Sequence, residues 1–186
     1  MTPLLSLVFP IFLSSVVVFI VSTIVHMVLP WHKSDYPKMP NEEKVSDALR
    51  PFAIPPGDYF IPRVESRNDL NSPEFNNKLN KGPVILMTVF PNGRTKMGPT
   101  MFYWFLFLLI VGIFSAYVTG SALGPGAAFW QVFRFAGTTA FIGYCLALWE
   151  MFIWYKRSFS ITIKATIDGL IFACFTAAVF GWLWPS

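Results

Sequence analysis

Charge is what this chain has least of. Only 13% of its 186 residues are Asp, Glu, Lys or Arg, against 54% hydrophobic, where soluble domains run near about 25% charged. Water is therefore not the main solvent for most of its surface. Cysteine is nearly absent as well: Cys145 and Cys174 both sit inside apolar runs in no metal-ligand spacing, which excludes a disulfide framework and a cysteine-built zinc site. Histidine is limited to His26 and His32. The chain has no Gly-rich phosphate loop, no metalloprotease pairing of His and Glu, and no evident Ser, His and Asp set. The sequence thus predicts a protein that is not an enzyme, with no catalytic residue, no metal and no cofactor of its own. The net charge is +4, but on so apolar a chain the counterpart is anionic lipid headgroups, not nucleic acid.

What the chain has in quantity is apolar length. Four runs stand out, Leu4 to Leu29, Thr100 to Leu123, Phe129 to Tyr155 and Ala165 to Trp184. Each suffices, since about 20 residues at about 1.5 Å rise cover a hydrocarbon core of about 30 Å. The expected fold is an all-α membrane protein with four transmembrane helices and a small α+β extramembrane cap between helices 1 and 2. The first run has no basic leader and no small-residue cleavage pattern, and is expected to stay attached as a helix. Its Pro10 predicts either a kink or a helix start near it, with a tilted or kinked helix the preferred expectation, and Thr2 with Pro3 offers an N-cap and first helical position. Trp31, Tyr103, Trp104, Trp149, Trp154 and Tyr155 gather at one set of run ends and Trp130, Trp182 and Trp184 at the other, as two aromatic belts do.

From Pro30 to Gly98 the composition turns to Pro, Asn and mixed charge, too varied for a linker. Asn41 to Arg50 predicts a short helix capped by Asn41 and stopped by Pro51, and Ser72-Pro73-Glu74 starts a second that ends before Gly82. Asp58 to Ile61 and Val84 to Phe90 read as strands. Two strands alone are marginal, so this sheet must lean on helices or on the membrane surface. All but Arg134 of the 14 Lys and Arg fall on the side of this segment or of the connection Lys156 to Lys164. The positive-inside rule then places the cap in the cytoplasm and both termini outside.

Small residues recur in register, Gly112, Ala116 and Gly120 on the second helix and Gly169, Ala173, Ala177 and Gly181 on the fourth. In lipid, helices associate by close backbone approach, so these positions are read as helix packing, within the bundle or against another subunit. Ionisable residues in the apolar runs are costly and each needs a reason. Arg134 lies near a run end, where its stem reaches the headgroups. Glu150 lies six residues before Lys156, about 9 Å deeper, and Asp168 four residues after Lys164, about 6 Å in. The two carboxyls can bind a proton or cation, but a shallow, solvated arrangement linked to Lys156, Arg157 or Lys164 is the preferred expectation. Six residues at about 100° each put His26 and His32 on different helix faces, so the pair is predicted not to clamp a haem. His26 alone can offer a ring nitrogen to a chlorophyll-type pigment or to a partner's haem; a simple hydrogen bond is the commoner role.

The stretches HMVLPWHKSDY (His26 to Tyr36), PPGDYFIP (Pro55 to Pro62), MTVFPNG (Met87 to Gly93), IWYKRS (Ile153 to Ser158) and FGWLWP (Phe180 to Pro185) together make the chain resemble, over essentially its whole length, a family of uncharacterised bacterial inner-membrane proteins. The resemblance implies a bacterial source and a four-helix membrane fold. It brings no activity, substrate or site residue. The resulting expectation is a non-catalytic accessory or scaffold subunit of a larger bacterial inner-membrane complex, photosynthetic or respiratory, surrounded by membrane lipids, with both termini periplasmic. The alternatives are a small proton or cation transporter acting as an oligomer through Glu150 and Asp168, and, more weakly, a membrane enzyme whose site lies in the cap.

Overall fold

The computed structural model describes all 186 residues. Four helical stretches are long and apolar enough to cross a membrane: Leu4–Val28, Met97–Ala122, Phe129–Tyr155 and Phe159–Trp182. The regular parts are α1 (Val8–Thr23), α4 (Met97–Ala122), α5 (Phe129–Phe141), α6 (Leu148–Tyr155) and α7 (Phe159–Trp182), with α2 (Glu42–Leu49) and α3 (Pro73–Lys81) lying between the first and second crossings. Each crossing packs on the next, and α1 also packs on α7, which closes the four into a ring.

Two crossings are not continuous α-helix. Pro10 cannot donate to Ser6, and the chain handles this with a 3₁₀ turn, Leu4–Leu7, so that α1 begins properly at Val8. Thr2 caps nothing; its hydroxyl donates to the Leu123 carbonyl at 3.0 Å and fastens the N-terminus to the end of α4. The third crossing is interrupted by a π-helical turn, Ile142–Leu146, between α5 and α6. The fourth helix starts at Phe159, six residues before the expected Ala165, because nothing from Ser158 to Lys164 breaks a helix. Lys164 therefore lies inside α7 and not in a connecting loop.

Every buried residue belongs to this bundle. Leu7, Ile11, Ala116, Val132, Ala136 and Phe180 form a core toward one end, and Val18, Val25, Leu108 and Phe172 toward the other. The small-residue positions are where backbones come closest. A Cβ on Gly120 would stand 2.7 Å from the Thr2 carbonyl oxygen, and one on Gly169 2.7 Å from Cys145 Cβ. Gly112, Ala116, Ala173 and Ala177 are buried in the same contacts, and Gly181 lies against the Phe129 ring. In lipid no hydrophobic drive holds helices together, so such contacts and the hydrogen bond from Trp104 Nε1 to Ser22 Oγ (2.9 Å) carry the association.

Residues Lys38–Thr95 form a second unit. Its strands β1 (Gly57–Ile61) and β2 (Ile85–Val89) pair antiparallel, Gly57 opposite Val89 and Ile61 opposite Ile85. Ser72 Oγ accepts from Phe75 N at 3.1 Å to start α3, and Gly82, at φ +57, ends it. Asn41, the expected cap of α2, instead takes a left-handed backbone conformation and makes no side-chain cap.

Candidate metal centre

The first crossing ends in a way that periodicity does not foresee. Pro30 forbids a continued helix and pushes Leu29 to extended backbone, φ −77° and ψ 144°. Ahead of that break the last turn widens into a π turn, Ile24–Val28, closed by Leu29 N donating to the Ile24 carbonyl at 3.0 Å. Beyond it a short 3₁₀ turn, Pro30–His32, reverses the chain. The expectation that His26 and His32 stand on different faces is thereby overturned. Along one helix they would be about 120° apart, but the break folds His32 back until the two imidazoles stack, 4.4 Å between centroids and 10° from parallel.

A third group joins them from α7. One ligand atom each from His26, His32 and Asp168 lies within 4.8 Å of the other two. His26 Nδ1 lies 3.0 Å from the Ser22 carbonyl oxygen, and His32 Nδ1 2.6 Å from Asp35 Oδ2. A carbonyl and a carboxylate only accept, so both histidines donate from Nδ1, and in the neutral ring Nε2 is left as a lone pair. His32 Nε2 lies 2.9 Å from Asp168 Oδ2. The approach is off-line for a hydrogen bond, however, and Nε2 and Asp168 Oδ1 are both buried without a hydrogen-bond partner. The Asp168 side chain is only 5% exposed. With His32 neutral, its Nε2 lone pair and Asp168 Oδ1 are two buried acceptors without a partner, and burial makes that expensive.

Asp35 and Lys164 hold the loop in place. Lys164 Nζ donates to the Trp31 carbonyl (2.8 Å), Ser34 Oγ (2.9 Å) and Asp35 Oδ1 (2.6 Å), using all three protons, and stands 5.5 Å over the Trp31 ring. Burial pushes the Asp35 carboxyl up, but the hydrogen bonds from Lys164 and His32 outweigh it and hold the group below the ordinary carboxylate range. It is thus an anion at neutral pH, and it orients His32 as carboxylates orient metal-bound histidines.

Two imidazoles and a carboxylate, each histidine tied at its far nitrogen, are the donor set of zinc sites that keep a fourth position open and of two-histidine, one-carboxylate iron sites. Bonds of about 2.0–2.1 Å require donors about 3.4 Å apart in tetrahedral geometry, so around an ion His32 Nε2 and Asp168 Oδ2, 2.9 Å apart, part slightly and the other spacings adjust within their 4.8 Å. Parallel rings must also tip toward a shared ion. His26, exposed on a π turn, is the ring with room to do so.

The other expected site residues are not brought together. Asp168 turns to His32 and not to Lys156, Arg157 or Lys164, because Lys164 is already saturated by the loop. Glu150 is exposed, and no ion pair or side-chain hydrogen bond joins it to Asp168. His32, Asp35 and Lys164 were not singled out as site residues by the sequence. The available signal was that both of the chain's histidines flank Pro30, a residue that reverses direction. No family model, curated protein or solved structure matches this chain.

Proposed function

We propose that this chain is an integral membrane protein that binds one divalent transition ion of the zinc class through His26, His32 and Asp168, with a coordination position left for an outside ligand. The observation that carries this reading is the convergence of the three groups with His32 Nε2 and Asp168 Oδ1 both buried and unpartnered. A cation between them gives both buried atoms a partner. Full-length protein in detergent, stripped and reloaded with Co(II), is expected to take up one ion per chain with a visible d–d spectrum, and His32→Ala with Asp168→Asn to lose it. Equal uptake by parent and double variant would sink the assignment. We place the protein in the bacterial inner membrane with Lys38–Thr95 cytoplasmic and both termini periplasmic, because all but Arg134 of the basic residues lie on that side. A reporter active only in the cytoplasm, fused after Ser186, should then stay silent.

A second reading is favoured by a different observation. Residues Lys38–Thr95 contain no buried residue, so the segment has no core of its own, and a partner surface would supply one. On that reading the chain is an accessory subunit docked on a larger membrane complex. The small-residue stripes do not argue for it, since they are occupied within the bundle. Crosslinking from Asn76→Cys in native membranes should trap one reproducible heterologous partner; products made only of this chain would count against docking. The ion-pathway reading has no support from a carboxyl pair, given that Glu150 and Asp168 are unlinked.

A further inference from the structure

Beside the candidate metal centre, between the ends of α1 and α4, lies a groove of about 290 Å³ lined by Ser22, Thr23, His26, Met27, Met97, Thr100, Met101 and Trp104. Each of its three hydroxyls, those of Ser22, Thr23 and Thr100, donates to a backbone carbonyl three or four residues back. Ser22 Oγ donates to the Phe19 carbonyl (2.9 Å) and accepts from Trp104 Nε1, and Thr23 Oγ1 donates to the Phe19 carbonyl (2.8 Å). What remains for an occupant is hydrocarbon, indole face and three methionine thioethers, a lining that adapts to flexible apolar chains. The one polar ring in it belongs to His26, a member of the metal cluster. Groove and cluster therefore share a wall.

Charge selects the head of the guest. Asp35 and Lys164 neutralise each other through a 2.6 Å contact, so a divalent ion bound with the single carboxylate of Asp168 leaves one positive charge. One anionic oxygen head cancels it and fills the open position. Both walls are parts of membrane-spanning stretches, so the guest enters from the lipid phase. The volume is at the small end of ligand pockets, which suits one chain and not the two of a phospholipid. We infer that the groove seats a single-chain lipid-phase carboxylate, its chain along Met27, Met97 and Met101 and its head on the ion held by His26, His32 and Asp168. This rests on the metal reading and deepens it by naming the ligand class.

The test is a titration of Co(II)-loaded full-length protein in one fixed detergent with dodecanoate and with acetate, read by the cobalt absorption bands. Dodecanoate should shift the bands at concentrations at least 100-fold lower than acetate. Thr100→Trp and Met101→Phe, which fill the groove without touching a ligand atom, should each bind Co(II) as the parent does and lose most of that advantage. Partition into micelles raises the local dodecanoate for every protein alike, so the difference between parent and variants isolates the groove. A chain-length advantage that is absent in the parent, or that survives intact in both variants, overturns the groove and leaves the metal centre standing. Failure of the parent to bind Co(II) at all overturns both.

Discussion

Residues Lys38–Thr95 and the helix bundle both form regular structure, yet no residue of Lys38–Thr95 is buried and the bundle holds the whole core. Short-range bonds build Lys38–Thr95: the Ser72 cap, the reciprocal pairing of Ser66 and Asp69, the Tyr59 hydroxyl donating to the Pro55 carbonyl (2.9 Å), and the exposed Glu74–Lys78 pair. The β1–β2 ladder, with Thr88 Oγ1 donating to Asp58 Oδ1 at 2.6 Å, is its long-range element. The bundle is joined instead by buried clusters of residues far apart in sequence, one holding Leu7 and Phe180 and another Val18 and Phe172. Local bonds specify a shape, since each satisfies a donor where it stands. Cooperative stability needs side chains removed from solvent by distant parts of the chain, and only the bundle has those.

Amide exchange breaks or sharpens that contrast most directly. Backbone amides of α4 and α7 in detergent are expected to exchange at least about 1,000-fold more slowly than those of α2 and α3, because opening the latter exposes no core. Comparable protection in the two units of the isolated chain would show that Lys38–Thr95 is stabilised without a partner, which counts against the accessory-subunit reading. The next effect falls on the metal centre. Asp35→Asn removes the anion that orients His32 and should weaken Co(II) binding by about 10–100-fold, whereas Asp69→Asn, which loosens only the Ser66 turn, should leave it unchanged. An Asp35→Asn protein with parental affinity would mean that the loop does not hold His32 for an ion.

Smaller shifts are expected from packing and capping. Gly120→Ala drives a methyl into the Thr2 carbonyl and should cost the bundle about 1–3 kcal/mol, measured as a fall in thermal midpoint. Gly98→Ala, where a Cβ meets nothing within 4 Å, should cost nothing or stabilise α4 slightly. Equal midpoints for the two variants would show that the α4 stripe is not a close contact. Smallest is Ser72→Ala, which loses one cap and about 1 kcal/mol from α3 alone; it should raise exchange in α3 without moving the bundle's midpoint.

Hydropathy by itself determined that four helices are long and apolar enough to cross a bilayer, because in hydrocarbon every backbone group must be bonded inside its own helix and length and polarity decide the rest. Local chemistry likewise made Ser72, Gly82 and the two strands legible, each depending on residues within a few positions. The rest depended on encounters between distant segments. The π turns at Ile24–Val28 and Ile142–Leu146, the helical start at Phe159 and the left-handed Asn41 have no signature in apolar pattern. Only the tertiary structure decided that the chain reverses at Pro30 while Lys164 seizes the loop and α7 presents Asp168. Those contacts set His26, His32 and Asp168 around one point. A helical period assumes one continuous axis, so it separates His26 from His32. Once the axis ends, the angle between two residues is set by whatever the next segment packs against, and that partner lies more than 120 residues further along the chain.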